Sequence, residues 1–134
     1  MKAILASVTV QGDKGYAQRI QAGAHSQTAD EPIKRGGTNT GPAPFELLLA
    51  SLGACTAITL RMYAERKQWD LGTINVKLRL AQEDDALHIE RTVNVTGPLD
   101  QAQRQRLLEM VDKTPVTKLV ALGVPITSAI EEGS

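Results

Sequence analysis

A chain of 134 residues, 42% of them hydrophobic, is long enough to bury a core, so we expect one folded domain over residues 1–134. Lysine and arginine together number 15, as do aspartate and glutamate, so the formal net charge is zero. This balance, without a basic cluster, argues against a nucleic-acid partner. Aromatic residues make up only 3%, so the predicted core is aliphatic.

The N-terminal third predicts short strands followed by a loop. Strands are expected at residues 2–10, 15–21 and 24–29, with a hairpin turn at residues 12–15. The first apolar stretch is too short for a signal peptide, and no small-residue cleavage site follows it. Residues 32–44 are rich in glycine, proline, threonine and asparagine, which predicts a loop.

A long helix is expected from Pro44 to about Lys67, because proline suits the first helical turn and Glu46 complements the helix dipole. Its uncharged run, residues 47–60, is shorter than the roughly 20 residues that cross a bilayer, so we expect a cytoplasmic protein with no membrane partner. The leucines of this run point in all directions, and a helix apolar all round should be buried all round. We therefore expect a second subunit near this helix. The alternative is a monomer whose C-terminal helices cover it.

The C-terminal half predicts a strand pair, two helices and a closing strand. Their expected spans are residues 71–81 and 86–96 for the strand pair, 101–111 and 115 to about 123 for the helices, and 124–130 for the closing strand. Asp100 can cap the first of these helices and Thr114 the second. The order of elements predicts an α+β fold.

Cys55 is the only cysteine, so the chain cannot form an internal disulfide. An inert, buried thiol is the commonest fate of such a residue. Apolar surroundings disfavour a thiolate, so a reactive Cys55 needs a nearby cation, and Arg19 and Arg35 are both candidates. Glu46 precedes Cys55 by nine positions. On one straight helix the two would lie roughly 13.5 Å apart and about 180° around the axis, so they could meet only across a dimer interface unless the helix breaks.

The motif Gly41-Pro-Ala-Pro-Phe-Glu-Leu-Leu-Leu-Ala-Ser-Leu-Gly-Ala-Cys-Thr-Ala-Ile-Thr59 resembles the central signature of the OsmC/Ohr family. The similarity continues through residues 62–67 to Thr114-Pro-Val-Thr-Lys118 and covers nearly the whole chain. It implies an OsmC-like α+β fold with antiparallel sheets packed around a long central helix, in an intertwined homodimer with two active sites at the subunit interface. Characterised members of the family are antioxidant enzymes that reduce organic hydroperoxides, and hydrogen peroxide more weakly, through a pair of cysteines.

The resemblance carries over residue by residue. Cys55 matches the cysteine that attacks the peroxide, Glu46 the glutamate that orients the site, and Arg35 falls in the loop where OsmC-type members place the arginine that pairs with the thiolate. Residues 12–15 lack the hairpin arginine of the Ohr branch, which favours the OsmC side. Thr114 stands where the resolving cysteine would be. The resemblance therefore implies a one-cysteine peroxidase that needs an external thiol and no cofactor.

Simpler interpretations remain for these residues. Glu46 can serve the helix dipole, Arg35 can be a solvated charge and Thr114 can be a helix N-cap. Residues 36–41 lack the lysine of a phosphate-binding loop, so we expect a flexible active-site loop. With two histidines and one cysteine, no metal site is expected.

Two other function classes stay open. One is a non-catalytic dimer that binds a small apolar or lipid-like ligand in an interface pocket. The other is acyl transfer or hydrolysis through Cys55, for which His25 or His88 would have to supply the base.

Overall fold

Over residues 1–133, which the structure, a computed structural model, describes, the chain has an α+β architecture with two antiparallel sheets and three α-helices. The strands are β1 Thr9–Gln11, β2 Gln18–Ala22, β3 His25–Ala29, β4 Ile74–Glu83 and β5 Ala86–Val95. The helices are α1 Pro44–Lys67, α2 Gln101–Val111 and α3 Pro115–Leu122. The chain divides into two compact units, Met1–Ala50 and Ser51–Ser134, and α1 begins in the first and ends in the second.

The first unit contains a three-stranded sheet in the order β1-β2-β3. Its strands pair as a meander, with Val10 opposite Ile20 and Ile20 opposite Gln27. The predicted strand at residues 2–10 is wrong in length, because only residues 9–11 pair with β2. Residues 1–8 have no neighbouring strand among residues 1–133 to bond with, and a strand exists only where another strand satisfies its backbone groups.

Helix α1 runs without a break over 24 residues, as the sequence predicts. Its buried residues are Leu52, Thr56, Leu60 and Ala64, which recur every four positions and form a single stripe. Gly53 lies close to Leu78 of β4, where an added Cβ would approach the leucine to 2.9 Å. The expectation of burial all round is not met within this chain, since Phe45, Ile58 and Met62 are exposed.

By length and composition α1 is able to cross a membrane, with a mean hydropathy of 1.5 over an 18-residue window of which 22% is buried. The uncharged run, residues 47–60, is shorter than this window because Glu46 and Arg61 bound it, whereas the helix continues past both residues. The same composition is typical of a helix that is covered by protein on all sides.

The second unit is built on the long β4–β5 hairpin, which turns at Asp84 and Asp85 with φ of 51° and 68°. Two consecutive residues of positive φ characterise the type I′ turns that match the twist of paired strands. The hydrophobic core lies between this hairpin, α1 and α2 and consists of Leu60, Ala64, Leu71, Val95, Leu107 and Val111.

The local signals of the two C-terminal helices are confirmed, except that Thr114 occupies the N-cap of α3 without a capping hydrogen bond from its side chain. Asp100 accepts a hydrogen bond from the Gln103 backbone, and the Gln103 side chain accepts one from the Asp100 backbone, which together form a capping box. Helix α3 has Pro115 in its first turn and Gly123 at its C-cap. The closing strand predicted at residues 124–130 is wrong, because the described chain offers that segment no strand to pair with and leaves Ile126 and Ile130 exposed.

Candidate functional site

The loop between β3 and α1 carries Arg35 and is more ordered than its glycine-rich sequence predicts. It contains a 3₁₀ turn, Ile33–Arg35, in which the Arg35 N–H donates to the Pro32 carbonyl at 2.9 Å. The turn ends at Gly36, whose φ of 93° lies in the region that favours glycine. The loop is therefore a folded element, whereas a flexible segment was expected over residues 36–41.

Asp30 is the polar centre of this loop and is 2% exposed. Its Oδ2 accepts hydrogen bonds from the Thr38 backbone at 3.3 Å and hydroxyl at 2.5 Å, and from the Thr40 backbone at 3.1 Å and hydroxyl at 2.7 Å. Its Oδ1 accepts from the Glu31 N–H at 2.7 Å. These donors, the Thr38 and Thr40 hydroxyls foremost, hold the pKa of the Asp30 carboxyl well below its usual range.

Arg35 and Glu46 line one cavity of about 570 Å³ in the first unit. The Glu46 Oε1 accepts a hydrogen bond at 2.8 Å from the backbone N–H of Ala43, the residue that precedes α1. This contact satisfies a backbone donor at the start of α1, a role that is separate from the interaction with the helix dipole that the sequence suggests. Arg19 lies in a different groove, beside the β1–β2 connection, so the cavity that contains Glu46 favours Arg35 over Arg19 as its cation.

Cys55 is half-buried on α1 in the second unit. Its Sγ lies 3.9 Å from the hydroxyl oxygen of Thr59, one helical turn later. Among the residues that the structure describes, no imidazole is hydrogen-bonded to this sulfur, since His88 contacts Glu90 at 3.5 Å and His25 is exposed on β3. Within residues 1–133 no cluster of side chains could hold a metal ion.

Arg91 is a cation of the second unit that the sequence analysis missed. It occupies the inward register of β5 between Ile89 and Val93, and its side chain is only 14% exposed. Its Nη1 donates to the hydroxyl of Thr56 on α1 at 3.1 Å and to that of Thr117 on α3 at 2.7 Å. A charged residue that interrupts an apolar alternation is the signal that could have revealed it.

Thr114 belongs to the same network and is fully buried. Its hydroxyl donates to the Val111 carbonyl at 3.2 Å and lies 2.6 Å from the Thr117 hydroxyl. It occupies the N-cap position of α3, as expected, but its side chain makes no capping hydrogen bond. Three successive hydrogen bonds, through Thr117 and Arg91, thus connect Thr114 to Thr56, the neighbour of Cys55 on α1.

A second, mainly apolar cavity of about 380 Å³ adjoins this network. It is lined by Leu52, Leu80, Leu87, His88, Ile89, Arg91, Thr117, Val120 and Ala121. Its volume falls in the range of small-molecule pockets, and Cys55 is not among the residues that line it.

Comparisons with known proteins agree with this architecture. The family model described as OsmC-like protein matches residues 37–129. The structure is similar to that of an OsmC like protein from Mycoplasma pneumoniae, with a TM-score of 0.77 and 16% identity over 90% of this chain and 89% of that chain. An organic hydroperoxide resistance protein OsmC from Legionella pneumophila gives a TM-score of 0.65 and 17% identity over 90% and 91%.

The organic hydroperoxide resistance protein OhrB of Bacillus subtilis is 25% identical and gives a TM-score of 0.59, over 87% of this chain and 90% of that chain. None of the curated proteins matches the sequence. The matches together bear out the resemblance that the sequence motifs indicated.

Proposed function

Because the chain belongs to the OsmC-like protein family, we propose that it reduces organic hydroperoxides, and hydrogen peroxide more weakly, through the Cys55 thiol. Structural neighbours named organic hydroperoxide resistance proteins support this reaction. The observation that supports the site assignment is the cavity of the first unit, which both Arg35 and Glu46 line.

In the proposed reaction the Cys55 thiolate attacks one peroxide oxygen. An S–O bond forms to the oxygen that bears hydrogen as the O–O bond breaks, and the departing alkoxide takes a proton from solvent to become an alcohol, which leaves Cys55 as a sulfenic acid. Arg35 stabilises the thiolate and the charge that develops on the leaving oxygen. Glu46 orients Arg35 once substrate and the second copy complete the site, since a carboxylate beside the sulfur would by itself oppose the thiolate and the two side chains form no ion pair within the described residues of this chain.

Regeneration of Cys55 requires an external thiol. The sulfenic acid condenses with a first thiol to a mixed disulfide and water, and a second thiol then releases Cys55 as the external disulfide forms. Thr114 has no sulfur to take this role, and its hydroxyl is engaged by Val111 and Thr117. A cytoplasmic location, which the sequence predicts, would supply such thiols.

We further propose that the active unit is a homodimer, with Arg35 and Glu46 of one copy acting on Cys55 of the other. Because α1 has no break, Glu46 and Cys55 leave it on opposite faces, roughly 13.5 Å apart along its axis. The exposed apolar residues of α1 and of the C-terminal segment supply surface that a second copy would cover. Sedimentation that reports a monomer at micromolar concentration would contradict the dimer.

The test of the proposed reaction is cumene hydroperoxide consumption with a dithiol reductant in excess, compared for wild type, Cys55→Ser and Thr114→Cys. Wild type should turn over and Cys55→Ser should fall to the uncatalysed rate. Without the dithiol, Thr114→Cys should form an intramolecular disulfide with Cys55 after one equivalent of peroxide, because the family resemblance puts position 114 where the resolving cysteine would be. Equal rates for wild type and Cys55→Ser would sink the proposal.

A second candidate, a non-catalytic dimer that binds a small apolar ligand, is favoured by the apolar cavity of about 380 Å³. This function predicts ligand binding that survives Cys55→Ser and is lost when Leu80→Trp fills the cavity. Acyl transfer through Cys55 gains no supporting contact from the described residues. A stable acyl adduct on Cys55 by mass spectrometry would revive it.

A further inference from the structure

We propose that Asp30 is a positioning residue, whose carboxylate holds the Arg35 loop, residues 31–41, in the conformation that places Arg35 at the cavity that Glu46 also lines. The catalytic consequence rests on the proposed function, whereas the conformational one does not. Asp30 is the first residue after β3, so its carboxylate is anchored to the sheet while its partners lie in the loop.

The hydrogen bonds of Asp30 join the beginning of the loop to its end. Thr38 and Thr40, eight and ten residues further along, converge on the single oxygen Oδ2. The Asp30 N–H in turn donates to the Pro42 carbonyl at 3.0 Å. Arg35 therefore lies inside a ring that this one residue closes twice, through its side chain and through its backbone.

Backbone contacts inside the ring leave little freedom. The Asn39 N–H donates to the Glu31 carbonyl at 3.1 Å, and the Gly37 N–H donates to the Pro32 carbonyl at 3.1 Å. A Cβ on Gly37 would stand 2.0 Å from the Glu31 carbonyl oxygen and 2.8 Å from the Asp30 Oδ1. The loop thus packs directly on the aspartate, and glycine is needed where it does.

The same loop forms a wall of the cavity that contains Glu46. Glu31, Pro32, Lys34, Arg35 and Asn39 line it from the loop, and Ala43 to Glu46 line it from the start of α1. The position of Arg35 relative to Glu46 is therefore a property of the loop conformation. Nothing bonds the Arg35 side chain itself within the described residues, so the backbone beneath it has to set its place.

Asp30 is ionised and buried without a cation among its described partners, and backbone and hydroxyl donors alone satisfy it. Replacement by asparagine keeps the shape but removes the charge and turns one acceptor into a donor, which faces the Thr38 and Thr40 N–H groups or the Glu31 N–H. Such a substitution should open the ring.

Trypsin provides a direct readout, because Lys34 and Arg35 are its cleavage sites within the loop. We expect Asp30→Asn to be cut after these residues on the order of tenfold faster than wild type under native conditions. Asp13→Asn, the same change at an exposed position of the first unit, should be cut like wild type. Unchanged cleavage of Asp30→Asn would overturn the proposal.

The reactivity of Cys55 distinguishes a positioning role of Asp30 from a role that is limited to stability. Its rate of alkylation by iodoacetamide as a function of pH should shift for Arg35→Ala, shift in the same direction for Asp30→Asn, and shift no further in the double variant. An Asp30→Asn profile identical to wild type, beside a shifted Arg35→Ala profile, overturns the positioning role. If Arg35→Ala has no effect, the proposed function fails, and the role of Asp30 is then decided by trypsin cleavage alone.

Should Asp30→Asn fail to fold, Thr40→Val carries the same test, since it removes one hydroxyl donor and keeps the shape and the charge. We expect the same cleavage sites to be exposed to a smaller extent. Wild-type cleavage of a folded Thr40→Val protein contradicts the proposal.

Discussion

The loop that carries Arg35 and the turn of α1 that carries Cys55 are held in place by different forces, although the proposed reaction needs both. One buried carboxylate gathers the loop, through hydrogen bonds from Thr38 and Thr40. The turn of α1 is held by apolar packing of Leu52 and Leu60 and by the bond from Arg91 to Thr56. A single polar substitution should therefore release the loop, whereas the helix should yield mainly to changes in its apolar stripe.

The largest expected effect comes from the apolar packing of α1. Leu60→Ala should lower the free energy of unfolding by about 2–5 kcal/mol, because Leu60 is fully buried in the core of the second unit and its loss leaves a cavity. Leu108→Ala, at an exposed position of α2, should change it by no more than about 0.5 kcal/mol. Urea denaturation measures both, and equal losses would show that packing does not distinguish these positions.

On the loop side, Arg35→Ala should lower the rate of hydroperoxide reduction by about 100-fold, the usual cost of removing one electrostatic stabiliser of a transition state. The neighbouring Lys34→Ala is the matched control, because Lys34 lines the same cavity in the same loop. Steady-state kinetics with cumene hydroperoxide measure both variants. If the two lose activity equally, net positive charge in the loop, and not Arg35 itself, is what matters.

A smaller effect is expected from the loss of the hydrogen bonds that Arg91 makes in the second unit. Arg91→Met should destabilise the protein by about 1 kcal/mol, because Thr56 and Thr117 lose a donor while their hydroxyls keep other partners. Thr92→Met, one residue later on the opposite face of β5, is the control. Thermal unfolding compares them, and a stabilised Arg91→Met protein would mean that the network costs more in desolvation than it returns.

The smallest expected effect is the loss, at acid pH, of the stability that Asp30 contributes. The pKa of Asp30 is lowered in the folded protein, so its contribution to stability is complete above the ordinary aspartate pKa of about 3.9 and is lost as the pH falls further. The difference in stability between wild type and Asp30→Asn should hence be constant from pH 7 to about 5 and shrink below about 4. Denaturation midpoints across this range test it, and a difference that does not vary with pH is the contrary result.

Local signals explain how much of the fold the sequence could predict. The bounds of α2 and α3 follow from Asp100, Pro115 and Gly123, which act within a few residues of their own position. The strand expected at residues 124–130 fails because strand formation depends on a pairing partner, which local sequence does not specify.

The residues of the candidate site were likewise predicted only in part. The resemblance to a family pointed to Cys55, Glu46 and Arg35, and the structure places Arg35 and Glu46 at one cavity. Asp30 carried no signal, because its partners lie eight and ten residues away and only the folded loop brings them to it. That Cys55 joins Arg35 and Glu46 stays a prediction.

The central claim is that Cys55 itself takes an oxygen from the hydroperoxide. Mass spectrometry after less than one equivalent of cumene hydroperoxide, with a diketone that traps sulfenic acids, tests it most directly. The account predicts a trapped adduct on Cys55 in proportion to the peroxide added, and a much slower one in Arg35→Ala. An unmodified Cys55 thiol in wild-type protein that has been left with the peroxide for many turnover times would contradict the account.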